Sequence, residues 1–152
     1  MGRTRKMRQG PRAAGSGGGI ILLADLRITA REHLRAAVIL RRSRAYDSAD
    51  YLCGYAVEIA LKVRICRTLR WQGFPESKKE FEGKLSLRVH DLNALLEFTG
   101  IQSRFQRMPL RGAWETVQLW DPEQRYRQGG VKTAAEADDM ISATRNLLRV
   151  LL

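Results

Sequence analysis

The chain predicts an all-α fold: an antiparallel up-and-down helical bundle of four main helices plus one short helix. Three observations carry this. Between Tyr46 and about Arg70, Leu52, Ala56, Ile59, Val63 and Cys66 fall at i, i+4, i+7, i+11 and i+14, one apolar stripe along a helix that Cys53, Ala60 and Leu69 widen. Thr133-Ala134-Ala135-Glu136 reads as a capping box, so a last helix starts there. No alternating strand, hairpin signal or internal repeat competes with these patterns.

The elements follow in chain order. The first helix spans roughly 25–42. Thr29-Ala30-Arg31-Glu32 fits a capping box, with Asp25 as an alternative cap one turn earlier, and Ala30, Leu34, Ala37, Val38 and Arg41 trace its inner face. Arg44-Ala45-Tyr46 is a tight link, and a short link makes two helices antiparallel neighbours. Asp47 or Ser48 caps the second helix, and Gly73 and Pro75 stop it. Residues 71–89 form a polar loop, in which Pro75 to Phe81 fits a helical turn with its proline at an early position. The short third helix runs from Asp91 to about Phe98, with Leu92, Leu95 and Leu96 inward and Gly100 at its end. A loop over 101–109 leads to a fourth helix over about 110–120, with Leu110, Trp114, Val117 and Trp120 inward, until Asp121-Pro122 breaks it. After a loop from Asp121 to Lys132, the fifth helix presents Ala137, Met140, Ile141, Thr144, Leu148 and Leu151.

A length of 152 residues with a hydrophobic share of 44% suits one domain with its own core. We divide it into a flexible tail over 1–24 and a helical domain over 25–152. The tail holds Arg3, Arg5, Lys6, Arg8 and Arg12 with no acid, ahead of a Gly/Ser run, and so carries five of the net +11 charges. Such a segment buries too little to order itself. It reads either as a nucleic-acid-binding arm or as an upstream extension from a misplaced start codon, and the domain stays basic without it. Ile20 to Leu23 is too short for a membrane span or a signal peptide, with Asp25 and Arg27 close behind, so a cytoplasmic protein with no membrane partner is expected. Cys53 and Cys66 lie about 20 Å apart along one helix, too far to bond within it. They read as small buried residues, and neither forms a zinc cluster with His33 or His90, so no metal and no cofactor is expected.

One set of segments goes further. Arg44-Ala45-Tyr46, the run DYLCGYAVEIALK at 50–62, HDLNALL at 90–96, WDPEQRY at 120–126 and the capped last helix resemble, in order, the HEPN domain family. These are small helical proteins of prokaryotes, often encoded beside a minimal nucleotidyltransferase. The resemblance covers about 25–152, and 50–62 is its most specific part. It implies a bundle that is frequently a homodimer, with roles in RNA cleavage, RNA or nucleotide binding, or toxin–antitoxin pairing. Ribonuclease members carry an Arg, four to six residues, then a His near the start of the last long helix. That pair is absent from the last helix here, which has Arg145 and Arg149 and no His. Arg27 and His33 have the spacing, but on the first helix, with side chains about 120° apart. The matching region offers Arg125-Tyr126-Arg127 instead. Metal-independent cleavage needs a general acid or base beside a cation that holds phosphate, and the base is missing from that segment.

Several residues each carry two readings. Glu58 sits in the apolar run and needs a partner if it is buried. It either faces solvent and pairs with Lys62 at i+4, or reaches Arg125, whose planar fork fits a carboxylate. Arg27, Arg31, Arg35 and Arg42 form a basic stripe on the first helix: an RNA- or nucleotide-binding surface together with Arg125 and Arg127, or a solvated face. His90 with Arg125 and Tyr126 forms a weaker catalytic set, and His90-Asp91 also reads as a helix start. The tryptophans read as core anchors, and Tyr51 and Tyr55, at i and i+4, suit a partner helix or a dimer contact. The function expected is a non-catalytic RNA- or nucleotide-binding module, partnered with a nucleotidyltransferase in a toxin–antitoxin or defence-type pair. The alternatives are an atypical RNA-cleaving toxin and a structural interaction protein.

Overall fold

The computed structural model describes residues 19–75 and 89–152. The fold is all-α. Its helices are α1 (Leu23–Arg42), α2 (Tyr46–Thr68), α3 (Leu92–Phe98), α4 (Leu110–Val117) and α5 (Ala134–Leu151), with 3-10 turns at Gln102–Gln106 and Pro122–Tyr126. Among the four helices expected to be main ones, α4 has only 8 residues. No described helix is long and apolar enough to cross a membrane.

α2 is the central element, packed against α1, α5 and α3. Its apolar surface is broader than one stripe: Cys53, Ala56, Val57, Ala60, Leu61, Val63, Ile65 and Cys66 are all buried. Leu69, expected to widen the stripe, lies just past the helix end and is exposed. Gly54 has a steric purpose. A Cβ there would stand 2.1 Å from the Trp120 indole, whose Nε1 donates to the Tyr51 carbonyl at 3.2 Å. The inward residues expected on α3 and α5 are buried, as are Trp114, Val117 and Trp120.

Helix ends depart from the expected caps in instructive ways. α1 starts at Leu23, so Thr29 lies inside it and bonds the Asp25 carbonyl rather than capping. α2 ends without help from Gly73 or Pro75. Arg70 takes a left-handed φ of 57°, Arg70 N–H donates to the Arg67 carbonyl, and Trp71 N–H donates to the Cys66 carbonyl. α1 ends the same way, with Arg44 at φ 62° and Ala45 N–H donating to the Leu40 carbonyl. Both are Schellman ends with an arginine where glycine is the usual choice. The capping box at Thr133 and Glu136 forms, and the Asp91 carboxylate caps α3 by accepting from Asn93 and Ala94.

The chain also holds an unexpected strand pair. β1 (Ile20–Leu22) runs antiparallel to β2 (Gly73–Pro75), with Ile21 opposite Phe74. Residues 20–24, counted with the flexible tail, therefore belong to a strand and the start of α1. A Cβ on Gly73 would lie 2.3 Å from the Ile21 carbonyl oxygen, so the close approach needs a glycine. Tail residues 1–18, and the expected helical turn beyond Pro75, lie outside the described residues.

Candidate functional site

Tyr55 stands at the middle of α2, beside Gly54, and a polar-aromatic cluster is built on it. Its ring meets Tyr51 and Trp120, each at a centroid distance of 5.0 Å, and both histidines of the chain, His33 at 6.3 Å and His90 at 6.4 Å. The hydroxyls of Tyr51 and Tyr55 are hydrogen-bonded at 3.2 Å, and Arg125 Nη1 donates to the Tyr55 hydroxyl at 3.3 Å. Burial and then the contact with Tyr51 raise the Tyr55 phenol above its ordinary pKa, so it stays protonated at neutral pH. Hydrogen bonding to Tyr51 and Tyr126 raises Arg125, which also lies over the Tyr126 ring at 4.6 Å.

Glu58 lies one turn further along, and of the two readings made of it only the pairing with Lys62 holds. It does not face solvent, being 3% exposed, and it does not hold Arg125. One carboxylate oxygen takes Lys62 Nζ at 2.7 Å, as the helical spacing allows, and the other takes His90 Nδ1 at 2.9 Å. Arg125 is used by Tyr55 instead. His90 is half-exposed, and no described residue bonds its Nε2. A carboxylate on Nδ1 fixes the ring's orientation and leaves the second nitrogen facing outward.

On the other side of Arg125 opens a cavity of 560 Å³, bounded by Tyr51, Leu119, Gln124, Arg125, Arg127 and Lys132. Its rim is tied to α2 by Asp47. Expected to cap α2, this carboxylate instead accepts backbone N–H bonds from Gly130, Val131 and Lys132 at 2.8–3.3 Å. Burial pushes Asp47 up, but these donors outweigh it and hold its pKa below the ordinary carboxylate value. Beneath it, Lys132 Nζ pairs with buried Asp50 at 3.4 Å. Burial raises Asp50, partly offset by that lysine. Arg127 reaches Asp121 at 2.6 Å. Exposed Leu119 and Val131 line the opening.

The expected site residues therefore separate into groups. Arg125 and Arg127 join at the cavity. His90 lies against the Tyr55 ring and Arg125 bonds its hydroxyl, while Arg125 stacks over Tyr126. Arg31, Arg35 and Arg42 are exposed on α1 and pair with no described acid, away from the cavity lining. Arg27 leaves the stripe: it is half-buried, and its guanidinium donates to a terminal main-chain oxygen of Leu152. Sequence reasoning missed Asp47, Asp50, Gln124 and Lys132 as site-builders. Asp47 was visible as a first-turn carboxylate, a position that also signals a cap, and the loop it binds is far away in the chain. Tyr51 and Tyr55, read as suiting a partner helix or a dimer contact, pack against the chain's own Trp120. Compared with protein-family models, curated proteins and solved structures, the chain matches none of them.

Proposed function

We propose that this chain is a non-catalytic HEPN-type module that binds RNA or a nucleotide. In this reading it acts as a cytoplasmic homodimer with a minimal nucleotidyltransferase, in a toxin–antitoxin or defence-type pair. The observation that carries the reading is the cavity: two arginines and a lysine converge on an opening flanked by Tyr51. Its 560 Å³ falls within the ordinary size of small-molecule sites. Cations supply the phosphate contacts, and an aromatic flank and glutamine amides suit a base. Calorimetric titration with adenosine and uridine monophosphates tests it. Lys132→Ala and Arg125→Ala should each weaken binding about tenfold, roughly 1.4 kcal/mol. An unaltered protein that binds neither nucleotide nor RNA at low salt would leave an interaction protein as the remaining reading.

A second reading, an atypical RNA-cleaving enzyme, has one observation in its favour. Glu58 orients His90, whose free Nε2 suits proton transfer from a ribose hydroxyl, and Arg125 supplies a cation near the same tyrosine. Purified protein should then cleave a fluorogenic RNA without metal, and His90→Ala should abolish cleavage while leaving nucleotide binding intact. Absence of cleavage by the unaltered protein removes this reading.

A further inference from the structure

α1 has two opposite faces. Leu26, Ala30 and Ala37 are buried against the bundle. Ile28, Arg31, Arg35, Ile39 and Arg42 are exposed on the side away from them. At about 100° per residue these five fall within an arc of roughly 80°, and from Ile28 to Arg42 they run about 21 Å along the helix. One exposed isoleucine is ordinary on a surface. Here two, 53% and 56% exposed, share one line, and each has an arginine three or four residues away, the spacing of neighbours on a helix surface. None of the three arginines forms an ion pair with an acid among the described residues. Arg41, on the flank toward α5, is by contrast taken by Asp138 at 2.6 Å. Glu32 stands at the margin of the face and pairs with none of its arginines among the described residues.

We infer that this face of α1 is a docking surface for an acidic amphipathic helix of a partner protein. Apolar side chains of that helix cover Ile28 and Ile39, and its carboxylates meet Arg31, Arg35 and Arg42. Charge complementarity selects this occupant. A second copy of the chain would bring the same three arginines, because a twofold contact sets one patch against itself, and like charges facing each other repel. A nucleic-acid backbone would satisfy the arginines but leave both isoleucines with nothing apolar to cover them. An acidic helix answers both kinds of side chain, with anchors repeating at the three- and four-residue spacing that the face itself shows. The four turns available fit a partner segment of about 14 residues. The inference does not rest on the cavity, whose lining includes none of these residues.

Fluorescence anisotropy on the full chain tests it with three labelled probes: a designed peptide, its shuffled form and a single-stranded RNA of roughly 20 nucleotides. The designed peptide is a helix of Glu, Ala and Leu with its leucines in one stripe, and shuffling keeps the composition but destroys the stripe. The striped peptide should bind about tenfold tighter than the shuffled one. Ile28→Ser with Ile39→Ser should remove about that tenfold, at high salt as at low, and leave RNA affinity unchanged. Ile39→Ser alone should cost about threefold. Replacing Arg31, Arg35 and Arg42 together by Gln should weaken the striped peptide about tenfold at ~50 mM salt and far less at ~500 mM. The substituted side chains are all exposed, and the thermal midpoint of each variant checks that the fold is intact. A striped peptide that does not bind overturns the inference. So do striped and shuffled peptides that bind alike, or serine variants that keep full peptide affinity, since charge alone then accounts for the face. RNA affinity that falls as far as peptide affinity in the serine variants also overturns it and assigns the face to nucleic acid.

Discussion

Glu58 shows how one residue joins two distant parts of the chain. Its carboxylate is 3% exposed, held by a lysine from its own helix and a histidine just before α3. Removing its charge leaves Lys62 without an ion-pair partner beside the core. Glu58→Gln should therefore lower stability by about 2–3 kcal/mol, seen as a lower urea midpoint at constant m. A midpoint within error of the parent would show that the pair contributes nothing. Asp47 gives a prediction with a pH signature. Its folded pKa lies below the unfolded value, so the stability it supplies is fully present above the unfolded pKa of about 3.9 and disappears as pH falls through the folded pKa. Asp47→Asn should cost about 1 kcal/mol at neutral pH, after discounting for partial exposure. That difference should vanish in acid, where the parent carboxylate is protonated too; a difference that persists at ~pH 1 would contradict the assignment.

At the scale of elements, local signals were legible and non-local ones were not. The α2 stripe and the capping box of α5 depend on residues within one or two turns, so the residues themselves announce them; Asp91, read as the first helical residue, instead caps α3. The strand pair depends on three residues at one edge of the described chain meeting three that follow α2, and neither segment alternates. The same holds for the site. Arg125 and Arg127 were marked by charge, but the meeting of His33, Tyr55 and His90 comes from folding three elements together. The end of α1 at Arg42 matches the expectation, whereas the stop of α2 was assigned to Gly73 and Pro75 because an arginine, Arg70, occupies the left-handed position where a glycine would have signalled it; Arg44 takes the same backbone after α1. This carries a consequence for stability. Left-handed backbone costs a residue with a side chain about 1–2 kcal/mol, more than the added freedom of glycine costs in the unfolded chain. Arg44→Gly should raise the melting temperature, by roughly 1 kcal/mol or less in stability; calorimetry showing a lower one would mean that the arginine side chain makes a compensating contact.

For the molecule as a whole, α2 organises everything else, and its burial shields both thiols. Desolvation pushes Cys53 up to about 12 and Cys66 up to about 11, so neither forms the reactive thiolate at physiological pH. Ellman's reagent should label neither cysteine in the native protein and both after denaturation; rapid native labelling would mean that the core opens far more often than this packing implies. The pairing of β1 with β2 also fixes where the leading segment attaches. Leu22 lies opposite Gly73, Leu23 N–H bonds the Gln72 carbonyl, and Arg27 follows one turn later. The pairing clasps the start of α1 to the segment leaving α2, so the two helices are joined at both ends, by the Arg44–Ala45 link at one and by these strands at the other.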